Sequence, residues 1–543
     1  MSTESQNGVD DKSTGRRGRL MPPIGIWVFL ALLAGLNVWA RLPDTLDSGI
    51  ANIIALISGF LAVMTPLVWL AFFSGYSVAV RRAPLVVVLG VIAILVATCR
   101  IESVSGNLGV WRLRWRWAPH DDELLAAKAA TATPQTVALN ETTDDDFPQF
   151  LGPQRSGSVD RVVLARDWTT PPRRLWKQPI GAGHSAFAVV NGYAVTLEQR
   201  GENELLTCYD LKTGDLKWSD AVAARHRTAF GGTGPRSTPT IYEGNVYAIG
   251  ATGNFRCVDG ATGHRLWEKN LRQECEVSED EEAKAIAWGR AGSPLIVDHL
   301  VIVPGGGPAN GKRISLLAYD KDSGERVWQG GDDQIGYASP SVVRLGGVRQ
   351  ILIVNEASIS SHDPASGAML WAHNWPGTSN MSANASQAIA VGDDRVFVSK
   401  GYTGGAELFH VARDDAGHWS TKSIWQNKKV VQTKFCNVVI HDGFVYGLSD
   451  GVLECVELDT GKRRWKQGHY GHGQILKVSD LLLVVGESGE VTLVELSPEG
   501  HHPLGSFQAI EGQTWNNPSL YGRYLLVRNS EEAACYELPL RTH

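Results

Sequence analysis

The sequence predicts an all-β fold: an eight-bladed β-propeller of four-stranded blades, closed by an N-terminal strand and preceded by a three-helix transmembrane anchor. Three observations predict it. A ten-residue phrase ending in Trp recurs through the second two-thirds of the chain. The short apolar runs between these phrases come in fours, divided by turn-forming residues. Long uncharged runs occur only before residue 100.

The phrase reads YDLKTGDLKW to Trp218, VDGATGHRLW to Trp267, YDKDSGERVW to Trp328, HDPASGAMLW to Trp371 and VELDTGKRRW to Trp465. Trp425 ends a degenerate copy, and Trp176 stands alone in RRLWK. A spacing of about 40 to 60 residues is that of a solenoid or propeller. Within each phrase the turn has a local cause. Asp210, Asp259, Asp320 and Asp363 are placed to accept from backbone N–H groups just beyond them. Gly214, Gly263, Gly324, Gly367 and Gly461 supply the backbone conformation that reverses the chain. The Trp is expected to wedge between neighbouring sheets. The 58 Gly and 18 Trp of the chain suit such a fold.

Six blades end at Trp218, Trp267, Trp328, Trp371, Trp425 and Trp465. The seventh runs through GEVTLVELSPEGHHPLGSF, with Phe507 in the Trp place. The eighth has three strands, in NNPSLYG, RYLLVRN and AACYEL, and residues 173–177 are expected to supply its fourth. That closure removes exposed sheet edges. Cys208, Cys257, Cys455 and Cys535 sit two residues before a blade's Asp or Glu, where other blades have Ala318 and Ser361. They read as small packing residues of the third strand, and no disulfide or zinc framework is expected.

The uncharged runs 24–40, 50–73 and 83–99 are each close to the ~20 residues that cross a bilayer core. Lys12, Arg16, Arg17 and Arg19 before the first run place residues 1–23 in the cytoplasm. Arg81 and Arg82 fall between runs two and three, on the same side after two crossings. Residues 24–99 are thus expected to anchor the chain in a bacterial inner membrane as a multi-pass segment, with the propeller, 146–543, in the periplasm. Arg100, Arg112, Arg114 and Arg116 lie on the outer side, against the rule. Residues 100–145 read as a juxtamembrane segment and linker. Within it VWRLRWRW, 110–117, alternates Trp and Arg as a short strand does. It either lies on the lipid surface or packs its Trp face on the propeller.

Charge is nearly balanced, 51 basic against 57 acidic residues, and no nucleic-acid partner is expected. No GxSxG elbow, P-loop or HExxH is present in the soluble part. GGGPANGK, 305–312, lacks Ser or Thr after Lys312 and reads as an inter-strand loop. The acidic stretch ECEVSEDEEAK, 274–284, reads as a solvated surface loop. NET, 140–142, is a formal glycosylation triplet without meaning in a bacterial chain.

From about residue 102 to the end the chain resembles the pyrroloquinoline-quinone-repeat, outer-membrane-assembly-like propellers, especially membrane-anchored members abundant in planctomycete-type bacteria. DFPQFLGPQRSGSV (146–159) carries the resemblance most distinctively, with TLEQRGENELLTCYD (196–210), GPRSTPT (234–240), WGRAGSP (288–294) and HYGHGQIL (469–476). The resemblance implies eight blades and divides on activity. Quinoprotein alcohol dehydrogenases of this fold bind quinone and calcium, whereas the outer-membrane assembly lipoprotein binds protein partners and no cofactor. Many of the dehydrogenases carry adjacent cysteines over the quinone, and this sequence has no Cys-Cys pair.

Residues just before each blade's first strand face the central funnel: His184, Arg236, Arg290, Tyr337, Asn384, Lys434, His472 and Trp515. Of these His184, Arg236, Arg290, Lys434, His472 and Trp515 are the candidate binding residues. The cations would attract an anion, a tricarboxylic quinone among them, and Trp515 would serve as a stacking floor. Glu198 and Glu356 lie about a strand away, with no metal placed on them. The expectation is a non-catalytic binding module, with no catalytic residue, metal or cofactor. Protein or envelope partners would engage the funnel face and the loops 219–233, 270–288 and 372–386. The alternative is a quinone- and Ca2+-dependent alcohol or sugar dehydrogenase passing electrons to membrane quinone.

Overall fold

The structure, a computed structural model, describes residues 19–42, 46–109, 111–129, 136–228, 231–379 and 382–541. Lys12, Arg16 and Arg17 lie outside the described residues, as do residue 110 and part of the linker at 130–135. The chain divides into two compact units, Met1–Arg100 with Leu113–Arg116, and Ile101–Arg112 with Trp117–His543.

The first unit holds helices α1 (Ile24–Ala40), α2 (Ser48–Phe73) and α3 (Val78–Thr98). By length and composition α2 and α3 suffice to cross a membrane; α1 is apolar and shorter. Asn37 of α1 donates from Nδ2 to Ser58 Oγ of α2 at 2.5 Å, a polar tie between apolar surfaces. α3 starts five residues before the uncharged run, so Arg81 and Arg82 belong to its first turns rather than to a connector. Arg81 Nη1 donates to the Ser74 carbonyl at 3.2 Å, which satisfies one of the orphan carbonyls at the end of α2.

The second unit is the propeller. Its blades span 188–223, 240–270, 295–330, 341–374, 389–427, 439–469 and 474–508, each a four-stranded antiparallel meander. The eighth takes strands Ser519–Tyr521, Tyr524–Arg528 and Glu532–Glu537 and is completed by Arg173–Pro179. The N-terminal closure read from RRLWK is therefore present, with Cys535 opposite Trp176.

The repeated phrase builds the seams between blades. In blade 1 Asp210 Oδ1 accepts from Lys212 N and Thr213 N, each at 3.0 Å, and Asp259, Asp320 and Asp363 do the same in theirs. In six blades the Trp then reaches into this turn of the next. Trp176 donates from Nε1 to the Leu211 carbonyl (2.8 Å), Trp218 to Gly260 (2.9 Å), Trp267 to Lys321 (3.1 Å) and Trp328 to Pro364 (3.1 Å). Trp425 donates to Leu458 (2.8 Å) and Trp465 to Ser497 (2.9 Å). The ring lies on the turn glycine: a Cβ on Gly263, whose φ is +74°, would stand 2.7 Å from Trp218. That glycine is required twice, for its conformation and for room.

Opposite most of the Trp residues, across the strand pair, stands a small or slim residue: Cys208, Cys257, Ala318, Ser361, Cys455 and Cys535, with Leu408 opposite Trp425 the exception. The register shifts immediately after the residue facing the Trp, a bulge that turns the outer strand; in blade 7 it follows Leu493, which faces Gly505, so Gly505 rather than Phe507 takes the Trp place. The cysteines are free and, Cys99 apart, buried. Burial pushes the Cys257, Cys455 and Cys535 thiols up to about 12, so they are inert packing groups at neutral pH.

The acidic stretch is helical rather than a loop, and most of its residues are exposed to solvent, as expected. It forms α5 (Leu271–Glu274) and α6 (Glu279–Ala285), and α6 opens on a full capping box between Ser278 and Glu281. The Ser-x-x-Glu signal for it stands in the sequence.

Residues 147–159 close one end of the axis. Phe147 pairs with Val189 of blade 1, and Ile241 of blade 2 donates to the Pro148 carbonyl. Arg155 donates to the Ser293 and Pro294 carbonyls of blade 3, and Ser158–Val159 pairs with the first strand of blade 7. These partners lie three or more residues along the innermost strands from the funnel candidates, so the phrase fills the end of the axis opposite the funnel.

Candidate funnel site

Each innermost strand is entered from a connecting segment whose last residues face the funnel, and this places the sequence candidates. They fall into three groups rather than one ring. In the first, the Gly231 carbonyl is shared by His184 Nε2, at 3.1 Å, and the Arg236 guanidinium. Arg236 also donates to the Gly234 carbonyl at 3.0 Å. Burial, reinforced by Arg236, takes the His184 imidazole down to about 3, so it is neutral across the physiological range. His226, beside the same cation, is held down to about 4, mainly by burial. Neither histidine adds positive charge to the funnel.

The second group is a continuous aromatic patch. The Trp515 ring centroid lies 5.2 Å from His184 and 4.8 Å from Phe435, and Phe435 lies 5.7 Å from His472. At its edge Glu487 Oε1 accepts from Trp515 Nε1 at 2.9 Å, while Oε2 accepts from the His472 backbone N–H at 3.0 Å. Burial alone would raise the Glu487 carboxyl. The Gly106 N–H, the nearby His472 and the Trp515 indole outweigh that and hold it below the usual carboxylate range. Lys434 Nζ lies 3.3 Å from Asp450 and His472 Nε2 lies 3.6 Å from the same carboxylate.

Arg290 stands apart as the third group. It is buried, pairs with Glu282 of α6 at 2.5 Å and donates to the Gly305 carbonyl at 2.6 Å. The acidic stretch thus supplies the counter-charge of a funnel cation. Tyr337 donates to the Ser379 carbonyl at 2.6 Å and stacks with Trp288 at 5.1 Å. Asn384 donates to the carbonyls of Asn355, Glu356 and Trp375, so its amide holds loops together. The arrangement has paired charges, an aromatic floor and main-chain hydrogen-bonding groups, which suits it to grip a peptide-like surface.

Glu198 is fully buried, accepting from Tyr209 Oη at 2.6 Å and Arg200 at 3.0 Å, beside Arg528 of blade 8. It belongs to the closing seam. The Glu356 carboxyl is raised by burial and by Asp333. Among the described residues no group of three His, Cys, Asp or Glu side chains is placed to hold a metal ion.

Glu487, Asp450 and Phe435 belong to the candidate site and were missed by sequence reasoning. Glu487 and Asp450 follow the second strands of blades 7 and 6, where Glu356 stands in blade 4. Comparison of those corners was the available signal. Residues 101–123 were missed as well. Turn 105–109, between strands Cys99–Val104 and Trp111–Trp115, reaches the mouth. Gly106 N donates to Glu487 Oε1 at 2.6 Å, and Lys434 Nζ donates to the Gly106 carbonyl at 3.3 Å. Trp111, Trp115 and Trp117 are exposed, so VWRLRWRW contains a strand but does not bury its Trp face.

The family model described as outer membrane protein assembly factor BamB matches residues 162–330 and 280–467. The chain belongs to this family. Solved structures similar to it include BamB from Moraxella catarrhalis, 15% identical over 68% of this chain and all of that one, with a TM-score of 0.48. The quinohemoprotein alcohol dehydrogenase from Comamonas testosteroni is 14% identical over 77% of this chain and 85% of its own, at 0.54. A europium-containing methanol dehydrogenase is 12% identical over 70% and 89%, at 0.51. Identities this low speak to the fold alone, and BamB-like propellers and dehydrogenases share it. No curated protein sequence matches the chain.

Proposed function

We propose that this BamB-like chain is a non-catalytic binding propeller, anchored in the bacterial inner membrane by its three N-terminal helices and facing the periplasm. It recruits protein or envelope components through the funnel face and the inter-blade loops. The observation that carries this reading is the engagement of the funnel's charged groups by the chain itself. Arg290 is paired with Glu282, and Lys434 stands beside Asp450. A tricarboxylic quinone would need such cations uncommitted. The family's description as an assembly factor agrees with a role in binding proteins.

A photo-crosslinking residue at Glu531, on the funnel side, should trap a discrete envelope protein from membranes in mild detergent. One at Lys462, on the turn side, should not. Equal or absent labelling at the two positions would sink the reading. The dehydrogenase alternative has its own test: incubation with pyrroloquinoline quinone and Ca2+, followed by gel filtration, should leave no quinone absorption with the protein. Retained quinone would overturn the non-catalytic assignment.

A further inference from the structure

Residues 101–112 and 117–123 belong to the propeller's own unit and lie at the funnel mouth, and the contacts they make are of an unusual kind. The turn is internally rigid. Leu108 N donates to the Ser105 carbonyl at 2.8 Å, Gly109 N to Asn107 Oδ1 at 3.0 Å, and Leu108 has a φ of 59°. Its apex is read through the main chain. Gly106 N–H goes to Glu487 at 2.6 Å, the Gly106 carbonyl takes Lys434 at 3.3 Å, and the Val104 carbonyl takes Gln513 Nε2 at 2.5 Å. Glycine is required at the apex, since a Cβ there would lie 2.5 Å from the His472 ring.

Beyond the turn the same segment continues to the other side of the mouth. His120 bridges Glu102 at 2.7 Å and Arg227 at 2.6 Å, and Arg225 pairs with Asp122 at 2.8 Å. Next to the turn a cavity of about 620 Å³ remains open, lined by Ser105, Trp111, Arg112, Tyr470, Glu487 and Gln513. The seat therefore has a fitted occupant with space beside it.

We propose that the funnel mouth is a receptor for a protein turn with glycine at its apex, and that residues 104–109 occupy it in cis until a partner's turn displaces them. Backbone recognition explains why the seat tolerates another protein's sequence: Glu487, Lys434 and Gln513 each bond to main-chain atoms of the turn. It also explains how occupancy is regulated. A tethered segment acts at an effective concentration on the order of mM. A free turn at micromolar concentration then loses, while a partner that also grips the blade loops wins. This inference rests on the binding role proposed above and names the ligand class of its site.

The test uses the full-length protein in detergent and a fluorescein-labelled peptide of residues 102–112. Gly106→Leu should evict the native turn, so the peptide binds this variant at least about tenfold more tightly than the unaltered chain. Adding Glu487→Gln to Gly106→Leu should abolish the gain. No binding to a folded Gly106→Leu chain, or equal binding to both chains, overturns the proposal. Amide hydrogen exchange needs no Gly106 variant: the Gly106 N–H should be protected in the unaltered chain and lose protection in Glu487→Gln. Fast exchange in the unaltered chain overturns the proposal independently. Failure of the peptide while an envelope protein still crosslinks at Glu531 removes the turn receptor alone. Loss of the crosslink in every chain removes the binding role beneath it.

Discussion

The two ends of this propeller are made by the same strands and follow opposite rules. At the turn end one solution is repeated: an Asp-capped turn, a glycine, and a Trp from the preceding blade donating into it. At the funnel end no two blades agree. Blade 3 pairs Arg290 with Glu282, blade 6 sets Lys434 beside Asp450, and blade 7 offers Glu487 to a turn from outside the blades. Repetition suits a seam, because every seam has the same neighbour to satisfy. Recognition needs difference, because a ligand at the axis meets all eight blades at once. Even the turn end shows the rule by its exception. Blade 5 lacks the Thr/Ser-Gly turn, so Trp371 has no turn to enter and donates instead to Gln350 of its own blade at 2.9 Å.

Four measurements would break or sharpen this contrast. Trp218 is fully buried, and Trp218→Ala should lower unfolding stability by about 3–5 kcal/mol, read as a drop in denaturation midpoint. Trp515→Ala, only partly buried, should cost less than half of that; equal losses would erase the distinction between seam and mouth. Glu282→Gln leaves the buried Arg290 without its charge partner and should cost about 3 kcal/mol. The double variant Glu282→Leu with Arg290→Met should recover most of it. Gly263→Ala should cost about 1 kcal/mol or more. Gly443→Ala has a φ of +81° but open space around the new Cβ, so the difference between the two variants isolates the Trp contact.

The smallest effect is pH dependence at the turns. The Ser323 N–H holds the Asp320 carboxyl below the usual range, and the Ser366 hydroxyl does the same for Asp363. A depressed folded value means the contribution is complete above the ordinary carboxylate range and is lost as pH falls through the folded value. Tm should therefore decline below about pH 4, and Asp363→Asn should flatten part of that decline. An unchanged slope would show that these caps do not contribute.

The propeller was legible in the sequence because its cause is periodic. Trp218, Gly263 and Asp259 state their roles by recurring, and the missing fourth strand of blade 8 could be assigned to residues 173–177 by counting. The funnel candidates were legible as positions but not as interactions. That Arg290 would be neutralised by Glu282 depends on α6, whose capping box at Ser278 was readable but whose docking was not. That Gly106 would meet Glu487 depends on a contact spanning most of the chain, which no local pattern encodes. The helix boundaries show the same limit, since α3 extends five residues upstream of the uncharged run through Arg81 and Arg82.

The closing strand has a consequence for how the protein is made. Arg173–Pro179 leaves the ribosome before any blade does, yet its partner Glu532–Glu537 follows all seven other blades in the chain. Until that stretch emerges, the strand carrying Trp176 has no sheet to join, although the Leu211 carbonyl it caps is already present. Such a long-range pairing is slow to form and leaves open edges exposed meanwhile. Ring closure thus waits for all seven other blades, and a chain stalled before residue 532 would carry seven blades and two unprotected edges.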